Sequence, residues 1–206
     1  MLFRSQVKVQ WECAFHDTGI ATPELFAHLT VCKSPLCNRN ALYGGRTEAM
    51  RLHWKAREGE TIQYVDVMSL YPYICKYGKF PVGHPVVHVG DACKDNEACL
   101  HKEGLIKCTI VPPERLYHPV PPFRANQKLM FSLCRTCVLT SNTEQCCHKT
   151  DEERALTGTC VIDEVRLAVQ KGLRILEIHE LYEYKVTRYD PETREDVLFP
   201  GYIDTF

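Results

Sequence analysis

No apolar run in the sequence reaches the roughly 20 residues that a helix needs to cross a bilayer, so a membrane-spanning protein is not expected. A secretory leader is also missing: Met1–Phe3 is apolar, but Arg4, Gln6 and Lys8 follow at once. The expectation is a soluble intracellular protein, with the nucleus one compartment open to it. Nor is there an excess of charge of one sign, because 25 Lys and Arg stand against 26 Asp and Glu for a net charge of −1. That near balance argues against a simple polycationic nucleic-acid binder. Internal repeats, the mark of solenoids and propellers, are absent as well.

What is present suits one globular domain, or one domain with a small insertion: 206 residues, 45% hydrophobic and 25% charged. The near-zero charge hides an asymmetry. Residues 1–143 carry 17 Lys and Arg against 12 Asp and Glu, while residues 144–206 carry 8 against 14. The densest basic run is Lys33, Arg39, Arg46, Arg51, Lys55 and Arg57, with Glu48 the only acid between its ends. Such a run can lie along phosphates, and on composition alone it reads as readily as a solvated face. Twelve cysteines is a high count. Without a leader they are expected as reduced thiols, most of them scattered small residues, some of them a metal site.

Periodicity and turn chemistry predict mixed elements without strict βαβ alternation, hence an α+β fold. Strands are expected at Val7–Cys13, Thr61–Val67, Leu105–Val111, Lys128–Leu133 and Arg174–Val186. Helices are expected to start at Pro23, with Thr22 as cap, and to cover Ser69–Tyr77 after a turn, closed by Gly78, and Asp163–Lys171, closed by Gly172. Pro81, Gly83 and Pro85 read as a break, residues 90–103 as a polar loop, and Pro119, Pro121 and Pro122 as a rigid connection.

The stretch Asp66-Val67-Met68-Ser69-Leu70-Tyr71-Pro72 carries the most chemistry. A strand that ends in a carboxylate and turns at once can present a hard oxygen ligand to Mg²⁺. A lone Asp there is more often a turn former, so the neighbours decide. The pattern DxxSLYP resembles the first catalytic palm motif of family B DNA polymerases. The resemblance implies that Asp66 is a metal ligand and Tyr71 a steric gate under the incoming sugar, with Ser69 and Leu70 shaping the triphosphate pocket. Asp66 is then expected at the end of a palm strand, facing an open cleft shared with Tyr71, with Arg174–Val186 in the same sheet.

Upstream, Tyr43-Gly44-Gly45-Arg46 is similar to the glycine motif between the exonuclease and polymerase domains of protein-primed members, with Gly45 standing 21 residues before Asp66. It implies DNA-binding roles for Tyr43, Gly44, Gly45 and Arg46, the glycines admitting a template strand and Arg46 meeting phosphate. VQWECAFH, DVMSLYPYICKYGKFPVGHP, KLMFSLCRTC and DEERALTGTCVIDEV extend the resemblance to polymerases of Maverick/Polinton-type transposons and related viruses. One departure is Cys160, where the family resemblance leads to Trp. The motifs KxxxNSxYG and YxDTDS do not occur, and Asp204-Thr205 is not followed by Asp or Ser. The expectation is a chain truncated relative to the family: residues 1–60 a junction between exonuclease and polymerase domains, residues 61–206 part of the palm of a right-hand polymerase, with a mixed or antiparallel sheet. Implied partners are template, primer, dNTPs and a terminal priming protein. Implied chemistry is nucleotidyl transfer with Mg²⁺, which the isolated chain is expected not to perform.

Within residues 134–150, Cys134, Cys137, Cys146 and His148 have the residue types of a structural Zn²⁺ site in an insertion, with Cys147 an alternative ligand and unmetallated thiols the alternative state. A second functional class stays open on these features: a domesticated or decayed module that binds DNA or protein through its basic face and Cys/His cluster, without catalysis.

Overall fold

The computed structural model describes residues 35–125, 127–192 and 199–205. The strand expected at Val7–Cys13, the helix start at Pro23 and Lys33 of the basic run lie outside them.

After a 3-10 turn at Asn38–Ala41, residues 42–69 form neither helix nor strand. The first helix, α1, is Leu70–Tyr77. Gly78 ends it, donating its N–H to the Ile74 carbonyl at 2.8 Å. β1 (Lys79–Val89) follows, then a 3-10 turn (Gly90–Cys93) and α2 (Asn96–Leu100), whose cap Asp95 accepts from the Ala98 N–H. β2 is Gly104–Val111, and β3 (Phe123–Ala125) pairs with β4 (Lys128–Met130) in a small hairpin. The short helices α3 (Arg135–Leu139) and α4 (Asp151–Arg154) precede β5 (Leu156–Val161), α5 (Ile162–Gln170), β6 (Arg174–Arg188) and α6 (Pro200–Ile203).

Four strands form one sheet in the order β1-β6-β2-β5, every neighbouring pair antiparallel. β6, the longest strand, is bonded on both sides, as its long alternating pattern requires. On β2, Ile106, Cys108 and Ile110 turn inward at every second residue and meet Leu156 and Cys160 of β5, Ile178 and Leu181 of β6, and Ile162, Val165 and Ala168 of α5. Ile106, Ile162, Val165, Ala168 and Leu181 are fully buried. Gly104 lets β2 approach β6 where no side chain fits, since a Cβ there would stand 2.0 Å from the Tyr182 carbonyl oxygen. Cys160, in the position where the resemblance implied Trp, is buried in this core beside Cys108. Burial pushes the Cys108 thiol up to about 12 and raises that of Cys160 further, so both stay neutral packing groups.

Several expectations are corrected. Thr61–Val67 is in no strand and is exposed throughout. Its β-branched and aromatic residues favour a strand, but no described strand edge pairs with it, and an unpaired extended segment has no ladder. It therefore does not share a sheet with β6. The Pro81–Pro85 stretch does not break the chain: β1 runs through it, with pairing to β6 shifting register between Val82 and Val86. β1 is an edge strand, where a missing N–H costs little and a bulge absorbs the glycine. Residues 90–103 contain two short helical turns rather than a plain loop, and the strand expected at Lys128–Leu133 stops at Met130. The α+β class holds, and of the two expected sheet types the antiparallel one is present.

Candidate functional site

Asp66 lies in the extended segment just before α1, with Ser69 as that helix's N-cap residue. Ser69 has φ +56° and ψ +30°, a left-handed conformation that a residue with a Cβ adopts at a cost. This single residue turns the chain from the extended segment into the helix. The turn brings Asp66, Ser69, Leu70 and Tyr71 around one open hollow of about 450 Å³, completed by Val65, Val67 and Pro72. Tyr71 is 82% exposed and Asp66 is exposed. Among the described residues, Asp66 is the only carboxylate lining the hollow. One carboxylate offers a divalent cation a hard oxygen ligand, but it cannot hold two ions without others. Asp204 does not join it, because it is paired with Lys76 of α1 and ties α6 to that helix.

The glycine motif lies at a second place. Tyr43 is half-buried; its hydroxyl donates to the Thr159 carbonyl at 3.4 Å, and Arg124 lies 5.2 Å from its ring centre. Burial raises the Tyr43 phenol above its ordinary value, with the Arg124 charge pulling partly back. Arg39, Asn40, Leu42, Tyr43 and Arg124 surround a hollow of about 470 Å³. A Cβ on Gly44 or Gly45 would meet nothing within 4 Å. Arg46 is engaged within the chain: it donates to the Pro119 carbonyl at 2.9 Å, pairs with Glu48 at 2.9 Å and stacks 4.2 Å from the centre of Phe131. Downstream, Arg51 and Arg57 lie 4.2 and 5.7 Å from the Trp54 ring centre, on an exposed arm. Sequence reasoning missed Arg124, which reaches Tyr43 from β3 through tertiary folding that no local pattern signals.

The Cys/His cluster forms a third place. Cys134, Cys137, Cys146 and His148 bring four ligand atoms within 4.8 Å of one another, an arrangement able to hold a metal ion. Cys147 is exposed and outside the cluster, which corrects its standing as an alternative ligand. Among the described residues this is the only such group of metal-ligating side chains. No described helix is long and apolar enough to cross a membrane.

Comparison with known families decides the chain's relationship: DNA polymerase type B, organellar and viral, matches residues 37–205. The chain belongs to this family. DNA polymerisation, with DNA and dNTPs as partners and Mg²⁺ as the metal, is the family's activity, and the matched region includes the Asp66 hollow, the Gly44-Gly45 pair and the Cys/His cluster of this type B polymerase chain. No curated protein and no solved structure matches the chain.

Proposed function

We propose that this chain is the opening part of the palm of a protein-primed type B DNA polymerase of the Maverick/Polinton kind, with residues 1–60 leading into the palm from an exonuclease domain and residues 61–206 within it. In this reading Asp66 is a ligand to catalytic Mg²⁺, Tyr71 excludes a 2′-hydroxyl at the incoming sugar, and Ser69 and Leu70 border the triphosphate. The observation that carries it is the hollow lined by both Asp66 and Tyr71, with the left-handed turn at Ser69 between them. Bound Mg²⁺ supplies activation of the primer 3′-hydroxyl and charge stabilisation for the leaving pyrophosphate. Asp66 orients the reaction by fixing one ligand position, and the Tyr71 ring offers a flat wall against the sugar.

The Gly44-Gly45 pair supports a template contact at the second place. Among the described residues nothing crowds either glycine, so their lack of side chains suits close approach by a nucleic-acid backbone. Arg51 and Arg57, splayed over Trp54, add charge and a stacking surface of the kind that holds single strands. A terminal protein is the primer in this reading.

One carboxylate without a triphosphate-gripping Lys leaves the transition state with little electrostatic support, so the 206-residue chain by itself is inert in primer extension. Sequencing the full-length transcript tests the reading. Continuation into KxxxNSxYG and YxDTDS is expected. A transcript lacking both favours the non-catalytic binding module. In the full-length product, Tyr71→Val is expected to admit ribonucleotides, and unchanged sugar discrimination contradicts the steric gate.

A further inference from the structure

The excursion between β4 and β5 gathers three thiols around a single imidazole nitrogen. The Sγ atoms of Cys137, Cys134 and Cys146 stand 3.4, 3.5 and 3.6 Å from Nδ1 of His148. Hydrogen bonding does not account for this, because a neutral imidazole nitrogen has one lone pair and cannot accept from three thiols. A tetrahedral ion does account for it. With bonds of about 2.3 Å to sulfur and about 2.05 Å to nitrogen at tetrahedral angles, ligand sulfur and nitrogen stand about 3.6 Å apart.

We infer that Cys134, Cys137, Cys146 and His148 form a structural site for one Zn²⁺. Three thiolates and an imidazole are soft and borderline ligands, which select zinc over Mg²⁺ or Ca²⁺. Four protein ligands fill a tetrahedron and leave no position for substrate water, which makes the site structural rather than catalytic. Ligand atoms all within 4.8 Å of one another surround one ion, whereas an iron–sulfur cluster spreads its ligands over several irons. Local sequence explains the geometry. Cys134 is the extended N-cap residue of α3 and Cys137 follows three residues later in its first turn, which keeps the two thiols close in sequence and in space. His148 follows Cys146 by two residues, and so short a tether presents the nearer ring nitrogen. Asn142 donates its side-chain N–H to Cys137 Sγ at 3.7 Å, a supporting contact of the kind that orients metal ligands.

The ion would close the excursion on itself, and hydrogen bonds tie the excursion to the sheet. Thr136 and Arg135 of α3 donate to the carbonyls of Glu153 and Glu152 at 2.7 and 2.9 Å, and buried Arg154 donates to the Pro112 carbonyl at 2.8 Å, just past the end of β2. The site stands on ligand geometry alone and holds whether or not Asp66 is catalytic.

The full 206-residue chain, purified under reducing conditions without chelator, is to be analysed for zinc and iron and titrated with Co²⁺. About one zinc per chain is expected, with the visible and near-ultraviolet bands of tetrahedral thiolate-bound Co²⁺. Cys137→Ser should lose the metal and Cys147→Ser should keep it. If Cys137→Ser fails to fold, chelator added to the native chain reads the same property: the thermal midpoint should drop and recover on adding zinc. A metal-free chain whose midpoint ignores zinc, stoichiometric iron, a disulfide within the cluster, or full zinc retention by Cys137→Ser would each overturn the site.

Discussion

A few single residues are asked to do something the fold itself does not need. Gly44 and Gly45 have open space where a side chain would be, so Gly44→Ala and Gly45→Ala should leave the thermal midpoint unchanged. Their expected effect is weaker binding to primer–template DNA, measured by fluorescence anisotropy at fixed salt. A drop in stability with unchanged DNA affinity would assign the pair to folding. Glu183 is the opposite case, a residue whose electrostatics serve the fold. It accepts from Lys102 at 2.6 Å and contacts His88 at 2.7 Å, and the Lys102 hydrogen bond, ahead of that from His88, holds its carboxyl below the ordinary value. A depressed carboxyl stabilises the fold above its unfolded value, about 4.3, and that contribution disappears as pH falls through the folded value. Because the side chain is 35% exposed, solvent screening keeps the effect below about 1 kcal/mol. Glu183→Gln should lower the thermal midpoint slightly at neutral pH and converge with the wild type in acid. An equal offset at every pH would place the effect in packing rather than charge.

At the scale of elements, β6 and α5 carry the stability. Leu181 is fully buried at the centre of a strand paired on both sides, so Leu181→Ala should cost about 2–5 kcal/mol, read from urea unfolding. A cost below about 1 kcal/mol would mean that the core does not close around β6. These were also the elements most legible in the sequence. Arg174–Val186 alternates too long to be anything but a strand, and Asp163–Lys171 has an acidic start, an apolar face and a closing glycine, matching Ile162–Gln170 closely. The turn and helix after Asp66 were equally legible, because Gly78 and Pro72 bracket a short apolar run. Thr61–Val67 was not, since strand propensity is a statement about a partner as much as about the residues, and no described edge meets it. The prolines of β1 misled for the complementary reason: whether a proline breaks a strand depends on its being central or at an edge, which only the sheet order reveals. At the candidate site, Asp66 and Tyr71 line one hollow because they are near neighbours in the chain, whereas Arg124 beside Tyr43 and the engagement of Arg46 by Phe131 and Pro119 arise from contacts across many residues.

At the scale of the molecule, the chain combines a four-stranded antiparallel sheet with an exposed run of residues that includes Asp66 and Tyr71. Ile62, Tyr64, Val65, Val67 and Met68 are all more than 60% exposed, an apolar segment around Asp66. A polymerase active site needs further carboxylates and a triphosphate-binding cation gathered at that place. In the proposed function, this chain contributes the first metal ligand and the sugar gate, and segments bearing KxxxNSxYG and YxDTDS contribute the rest. The most direct measurement is template-directed primer extension by the chain joined to those segments, compared with its Asp66→Asn variant and with the 206-residue chain alone. A catalytic role for Asp66 predicts extension by the joined protein, a loss of at least about a hundredfold in Asp66→Asn, and no extension by the chain alone. Extension that is indifferent to Asp66→Asn would contradict it.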